Sequence, residues 1–479
     1  MKSKSMKSLA TLLLIVSLCA CGSQKETRTF APGEFKQWAQ TPPMGWNSWD
    51  CYGPTVTEAE VKANADYMAR YLKPYGWEYV VVDIRWFVEN DKAGGYNQTD
   101  PRYVMDEYGR YLPALNRFPS AADGRGFKPL ADYVHGLGLK LGIHIMRGIP
   151  KQAVEKRLPV KGTDGVTADQ ISSPELQCEW LRDNYTIVDG RPGSQEYYNS
   201  IFDLYASWGV DFVKIDDITR PYHKAEIEMV RRAIDQCGRP IVLSLSPGAT
   251  PVAEAAHVSQ HANMWRMVDD VWDLWSDVTN LINVAQGWYP SIAPGTWPDC
   301  DMIPLGRISI RGERGADRMT RLTRDEQYSL MTLFTIFRSP LMFGGDLPSN
   351  DEFTLSLLTN PEVLRMHREG CDVRQLFNED GKVAITSRLY REPDNPTVAP
   401  RTVYLALFNT GDDKPATFSV AFADLGLPKA WDVSAIELWK SRDLPVVMSD
   451  SLQCTLVPHA CALYRLDSAA PTVEFERAP

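Results

Sequence analysis

Apolar positions along the chain alternate between two periods. Short unbroken runs such as Tyr79-Val80-Val81-Val82 and Phe212-Val213-Lys214-Ile215 read as strands covered on both faces. Between such runs apolar residues recur at helical spacing, as at Val61, Ala65, Met68 and Leu72 behind the capping residues Thr55 and Thr57. The pattern predicts strands near 77–83, 140–144, 209–216, 240–244, 263–268 and 340–343, and a weakly marked one near 291–297. Helices are predicted over 55–72, 127–137, 195–208, 223–237, 251–260, 272–286 and 324–337. An alternation repeated about eight times over roughly 300 residues predicts a (β/α)8 TIM barrel. A doubly wound sheet is the alternative, but no glycine-rich phosphate turn follows the first strand. Beyond Gly370 the texture changes to short strands near 383–386, 402–408, 416–421, 434–439 and 460–466, separated by Gly, Pro and Asp turns. Residues 41–370 are therefore expected to form the barrel and 371–479 a small antiparallel β-sandwich.

The N-terminus follows neither period. Lys2, Lys4 and Lys7 precede an apolar run from Leu9 to Leu18, too short to span a bilayer as a stable helix and typical of a secretory signal. Leu18-Cys19-Ala20-Cys21-Gly22 resembles the lipobox of bacterial lipoproteins. Residues 1–21 are expected to be the signal, Cys21 the acylated first residue of the mature chain, and 22–40 a tether. The protein is then expected to be exported and held to a bacterial membrane by that anchor alone, facing the periplasm or the cell surface.

A content of 44% hydrophobic and 23% charged residues is ordinary for a globular chain. The net charge of -10 leaves little to neutralise phosphates and argues against nucleic acid as a partner. The 14 tryptophans and 20 tyrosines supply flat faces suited to core packing and to stacking on sugar rings.

Barrel enzymes carry their reacting groups at the C-terminal ends of the strands. Polar residues collect there: Asp83 after the second strand, His144 and Arg147 after the third, Lys214 and Asp216 at the fourth. Ser244 and Ser246 follow at the fifth, Arg266, Asp269 and Asp270 at the sixth, and Asp299 and Asp301 before the last helix. In the fourth strand Lys214 and Asp216 share a face. They either close the strand as a structural ion pair or work together, the lysine keeping Asp216 ionised as a nucleophile. Trp46, Trp49, Trp86, Trp265 and Trp297 flank these groups, which suggests a carbohydrate cleft. Two carboxylates and aromatic walls meet the needs of glycoside hydrolysis. Asp269 beside Asp270 is expected to raise one carboxyl by repulsion, leaving an acid protonated near neutral pH. His144, His257 and His261 lack the spacing of a zinc hydrolase, and Ser244 and Ser246 lack a neighbouring histidine, so no metal or other cofactor is expected.

Four motifs resemble glycoside hydrolase family 27, the melibiases or α-galactosidases. They are Met44-Gly45-Trp46-Asn47-Ser48-Trp49, Gly209-Val210-Asp211 through Asp216, Trp265-Arg266 through Asp270, and Trp297-Pro298-Asp299-Cys300-Asp301-Met302. The resemblance spans roughly 41–466 and implies a barrel, a C-terminal β domain and a retaining mechanism acting on oligosaccharide or polysaccharide side chains of plant type. By motif position it implies Asp216 as nucleophile, Asp270 as general acid/base, and Trp49, Asp83, Lys214, Arg266 and Asp301 as sugar contacts. Three positions depart from the family pattern. The aspartate pair after strand two reads Asp83-Ile84, the tyrosine after strand three is His144, and Leu245-Ser246-Pro247 replaces a Cys-Glu-Trp loop. Ile84, His144 and Ser246 are thus expected to shape the sugar site, and Ile84 resembles the β-L-arabinopyranosidase branch. That sugar has the shape of α-D-galactose without its C6 hydroxymethyl. A plain α-galactosidase, a Schiff-base aldolase using Lys214, and a non-catalytic glycan-binding lipoprotein are the rival readings.

Overall fold

The computed structural model describes residues 28–389, 402–427, 432–440, 442–447 and 450–469; Cys21 and the signal segment lie outside them. Eight parallel strands curl into the expected barrel: β1 (Met44–Asn47), β2 (Tyr79–Val82), β3 (Lys140–Met146), β4 (Phe212–Asp216), β5 (Val242–Leu245), β6 (Met264–Arg266), β7 (Trp297–Asp299) and β8 (Leu341–Phe343). β8 pairs with β1. Closure on the other side runs through a break. β7 pairs with β6, while its continuation Met302–Ile303 pairs with β8. Between them Asp301 sits at φ 88, a left-handed conformation that re-aims its side chain. The seventh strand was expected upstream, near 291–297. It is short and interrupted and contains Pro298, so it has neither an apolar run nor a period to mark it. Gly45 sets the spacing of β1 and β2, because a Cβ there would lie 2.4 Å from the Tyr79 carbonyl oxygen.

The helices α1 (Glu58–Tyr67), α2 (Lys128–Gly136), α3 (Ser194–Trp208), α4 (Lys224–Gln236), α5 (Ala255–His261), α6 (Trp275–Ala285), α7 (Arg324–Phe337) and α8 (Pro361–Glu369) cover the strands in order. α1 and α7 start in capping boxes, Thr57 with Glu60 and Thr323 with Glu326. The expected tether is partly folded: Phe30, Phe35 and Ala39 are buried, and Asn263 donates to the Phe35 carbonyl at 3.0 Å.

The C-terminal strands form a six-stranded antiparallel sheet, with a two-stranded ladder, Ala416–Ala421 against Ser451–Leu456, across from it. Val403, Leu405 and Leu407 meet Phe418, Val420 and Leu452 in one core. The module docks on α7. Trp439 Nε1 donates to Thr332 Oγ1 at 2.7 Å, Ser329 Oγ to the His459 carbonyl at 2.7 Å, and His459 stacks on Trp275 at 4.4 Å. No helix among the described residues is long and apolar enough to cross a membrane.

Two long excursions leave the barrel top, one after β2 and one after β3. The second carries its own small sheet of Ile149–Pro150, Ser172–Ser173 and Asn184–Ile187. Fully buried Arg85 fastens them together. Its Nε and Nη2 each donate to Asp183 at 2.8 Å, and its Nη1 donates to Asp91 at 3.1 Å. Breaking a buried pair leaves an uncompensated charge, so Arg85→Met should lower stability by about 3–5 kcal/mol in denaturant unfolding. A loss below about 1 kcal/mol would mean that Asp183 and Asp91 find other partners.

Candidate active site

The strand ends bring Trp49, Asp83, His144, Lys214, Asp216, Ser246 and Asp270 to one cleft of about 700 Å³ at the C-terminal mouth of the barrel. At its centre is the Asp83 carboxylate, 1% exposed. Asn47 from β1 donates to Oδ2 at 2.8 Å, and Lys214 from β4 reaches the same oxygen at 3.3 Å. His144 Nδ1 lies 2.7 Å from Oδ1, and the Ile84 N–H donates there at 2.8 Å. Burial works against ionisation of Asp83, but His144 and Lys214 outweigh it and hold the carboxyl well below the usual range. The same balance raises His144: burial favours the neutral ring, while Asp83 and Asp216 favour the charged one more strongly.

The basic group nearest Asp216 is this imidazole. His144 Nε2 lies 3.1 Å from Asp216 Oδ2, within ion-pair range although off the line of a hydrogen bond. The expected Lys214–Asp216 pair is therefore rearranged: both side chains share the cleft face, but the ammonium goes to Asp83. Asp216 Oδ1 accepts the Asp217 N–H at 3.1 Å. Arg147 stays out of the cleft and clamps the turn behind it. Its N–H donates to the Asp216 carbonyl at 3.2 Å, and its guanidinium bridges Asp217 and Glu226 at 2.9 Å each. Asp217 there is left-handed, φ 57. Burial, opposed by Arg147 and helped by Asp216, pushes its carboxyl up to about 7.

On the far side Arg266 binds two carboxylates, Asp270 at 3.1 Å and Asp301 at 2.6 Å. Arg266 and Asp301 are almost fully buried. They line a narrow internal space beneath the cleft, which adjoins it through Lys214 and Ser246. Burial raises the Asp301 carboxyl; Arg266 pulls it down and Asp270 pushes it further up. The like-charge neighbour of Asp270 is thus Asp301 rather than the expected Asp269. Asp269 is exposed and held by the Arg220 guanidinium at 2.7 and 2.8 Å, which offsets its charge. Ser246 Oγ is buried without a partner among the described residues.

Other expected positions lie away from the cleft surface, and Arg266 and Asp301, expected as sugar contacts, are among them. Ile84 has no accessible surface and lies outside the residues that line the cleft, because Asp83 takes the cleft-facing position and the next residue turns into the wall. Of the five tryptophans expected to wall the site, only Trp49 does so. Trp46, Trp86, Trp265 and Trp297 are fully buried, and the indoles of Trp46 and Trp297 donate to the carbonyls of Gly345 and Ala39 at 2.8 Å. The lining is completed by Tyr96, Trp180, Arg220, Glu313 and Arg314, none singled out from sequence. The lengths of the loops after β2 and β3 were the available signal. Elsewhere His257 and His261 are brought together with Glu228, their ligating atoms within 4.8 Å of one another. The three lie on α4 and α5, outside the residues that line the cleft.

Residues 150–369 match the family described as alpha galactosidase A, and 397–466 the alpha galactosidase C-terminal beta sandwich domain. A family 27 β-L-arabinopyranosidase from Geobacillus stearothermophilus, solved in complex with arabinose, is 50% identical. The match covers 92% of this chain and 100% of that one, with a TM-score of 0.87. The alpha-galactosidase of Cyamopsis tetragonoloba is 27% identical over 95% of this chain and 97% of its own length. The alpha-N-acetylgalactosaminidase of Gallus gallus is 26% identical over 81% and 84%. The chain belongs to glycoside hydrolase family 27, the melibiase or α-galactosidase family, and is a glycoside hydrolase of the α-galactosidase/β-L-arabinopyranosidase type.

The pairing of His144 with Asp83 has a pH signature. A raised folded-state value means that the imidazolium stabilises the fold fully below the ordinary histidine value near 6.5, and that this contribution is lost as pH rises through the raised value. NMR titration of the His144 ring should therefore give a midpoint above 6.5, and Asp83→Asn should move it downward. A wild-type midpoint below 6.5 would refute the imidazolium bridge.

Proposed function

We propose that the protein is a retaining exo-glycosidase that releases terminal β-L-arabinopyranosyl units from glycan side chains in preference to α-D-galactopyranosyl ones. The observation that carries the preference is the 50% identity, over 92% of this chain, to a β-L-arabinopyranosidase. The pair Asp83-Ile84 supports the same choice: a second carboxylate beside Asp83 would offer an acceptor for a galactose O6, Ile84 offers none, and arabinopyranose has no C6 group to place.

In this reading Asp216 attacks the anomeric carbon while Asp270 gives its proton to the departing glycosidic oxygen, leaving a glycosyl ester on Asp216. Asp270 then takes a proton from water, whose oxygen displaces Asp216 and restores the starting configuration. Asp83, Lys214 and Trp49 hold the sugar from one side. Arg266 and Asp301 brace Asp270 from below. His144, the neighbour of both Asp83 and Asp216, aligns the nucleophile with the hydroxyl-binding carboxylate.

Wild-type enzyme should show higher kcat/KM on aryl β-L-arabinopyranosides than on aryl α-D-galactosides, with galactosides still hydrolysed. A wild type that prefers galactosides would make it a plain α-galactosidase. Asp216→Ala should abolish turnover and regain part of it with azide as an external nucleophile, the product being inverted. Without such rescue the nucleophile assignment falls.

The proposal includes export as a lipoprotein, supported by the charged and apolar N-terminal segment ending at Cys21. Membrane fractions should hold the wild type, and Cys21→Ser should release it or leave it unprocessed. A wholly soluble wild type starting at another residue would overturn the anchor.

A further inference from the structure

Two groups of unlike chemistry line the cleft beside the proposed catalytic carboxylates. One is an aromatic ladder. Trp49 meets Tyr96 with ring centroids 5.6 Å apart, and Tyr96 meets Trp180 at 6.2 Å, each pair tilted by 31°. The three rings form a continuous aromatic surface in the cleft lining. Trp180 ends it with 37% of its surface exposed, although a large apolar side chain at a cleft rim gains nothing from water. The other group is charged: Arg220 and Asp269, which form an ion pair, with Glu313 and Arg314.

We propose that Trp180, backed by Tyr96, is the platform for a sugar ring on the leaving-group side of the scissile bond, so that the aglycone is itself a carbohydrate. A pyranose or furanose has one face of C–H bonds carrying partial positive charge, which is drawn to the negative face of an indole. Its hydroxyl edge needs donors and acceptors, and the charged side chains of the same cleft supply both. The platform is also held in place before any ligand arrives. Gln98 Nε2 donates to the Trp180 carbonyl at 3.0 Å, and the guanidinium of Arg85 lies 5.4 Å from the Tyr96 ring centroid while gripping Asp183, three residues beyond Trp180. A rim already ordered loses less freedom on binding than a floppy one.

The inference rests on the glycosidase reading of the same cleft, and the test separates the two. Glycosyl fluorides of β-L-arabinopyranose and α-D-galactose have no leaving-group ring, so their turnover reports the sugar-binding end alone. A disaccharide that carries the better of the two sugars reports both ends. Trp180→Ala should lower kcat/KM on the disaccharide about tenfold, mainly through KM, and leave the fluoride within about twofold. Trp180→Phe should restore most of the loss. Equal losses on fluoride and disaccharide would make Trp180 structural and overturn the subsite, as would an unchanged disaccharide. A fluoride preference for galactose would sink the arabinose reading and leave the platform standing. Turnover of neither fluoride would sink both.

Discussion

The site depends on one buried carboxylate. Asp83 ends β2, yet it contacts side chains from β1, β3 and β4, and it can do so because a charge with no access to water must be satisfied from every side. Asn47, His144 and Lys214 lie on neighbouring strands of a closed sheet, so their distances to Asp83 are set by strand register. This register in turn rests on features such as Gly45, which lets β1 and β2 approach. The barrel supplies rigid strand ends, and Asp83 converts their rigidity into a defined array of donors beside Asp216.

Much of this was legible in the sequence, and the reason lies in the period of the pattern. Buried parallel strands give unbroken apolar runs, so Tyr79–Val82 and Phe212–Asp216 announced themselves, and the charges that interrupt such runs at their ends marked the cleft. β7 left no run to find. The tryptophans misled because an indole suits a core as well as a sugar. Only the third dimension shows that Trp46 and Trp297 spend their N–H groups on buried carbonyls while Trp49 faces the cleft. The burial of Ile84 was hidden for a different reason: sequence adjacency to Asp83 says nothing about which way the backbone turns on leaving the strand. Partners across the barrel were equally hidden. Nothing in Asp269-Asp270 reveals that Arg220 holds the first and Arg266 the second.

Chemistry and selectivity are divided between parts of different stiffness. Catalytic and hydroxyl-binding groups sit on strand ends, where neighbouring strands over-determine them. The rim sits on long excursions, which carry little regular structure of their own and are held by side chains. The C-terminal module stands apart from both. Its Trp439 and His459 grip Thr332, Ser329 and Glu326 of α7, the helix that follows the interrupted seventh strand. Its contribution is to brace the flank of the barrel where the β-ladder is weakest.

The clasp made by Arg85 has a consequence for how such a rim can be exchanged between scaffolds. Because one guanidinium satisfies Asp91 in the first excursion and Asp183 in the second, neither loop is a self-contained cassette. Transplanting the segment around Trp180 alone would deliver a buried aspartate to a host without its counter-charge. Transplanting the segment around Tyr96 alone would deliver a buried arginine with half its partners missing. The two insertions form a single modular unit, and each begins at a strand end, at Val82 and at Met146, so that both must be exchanged together rather than cut within either loop.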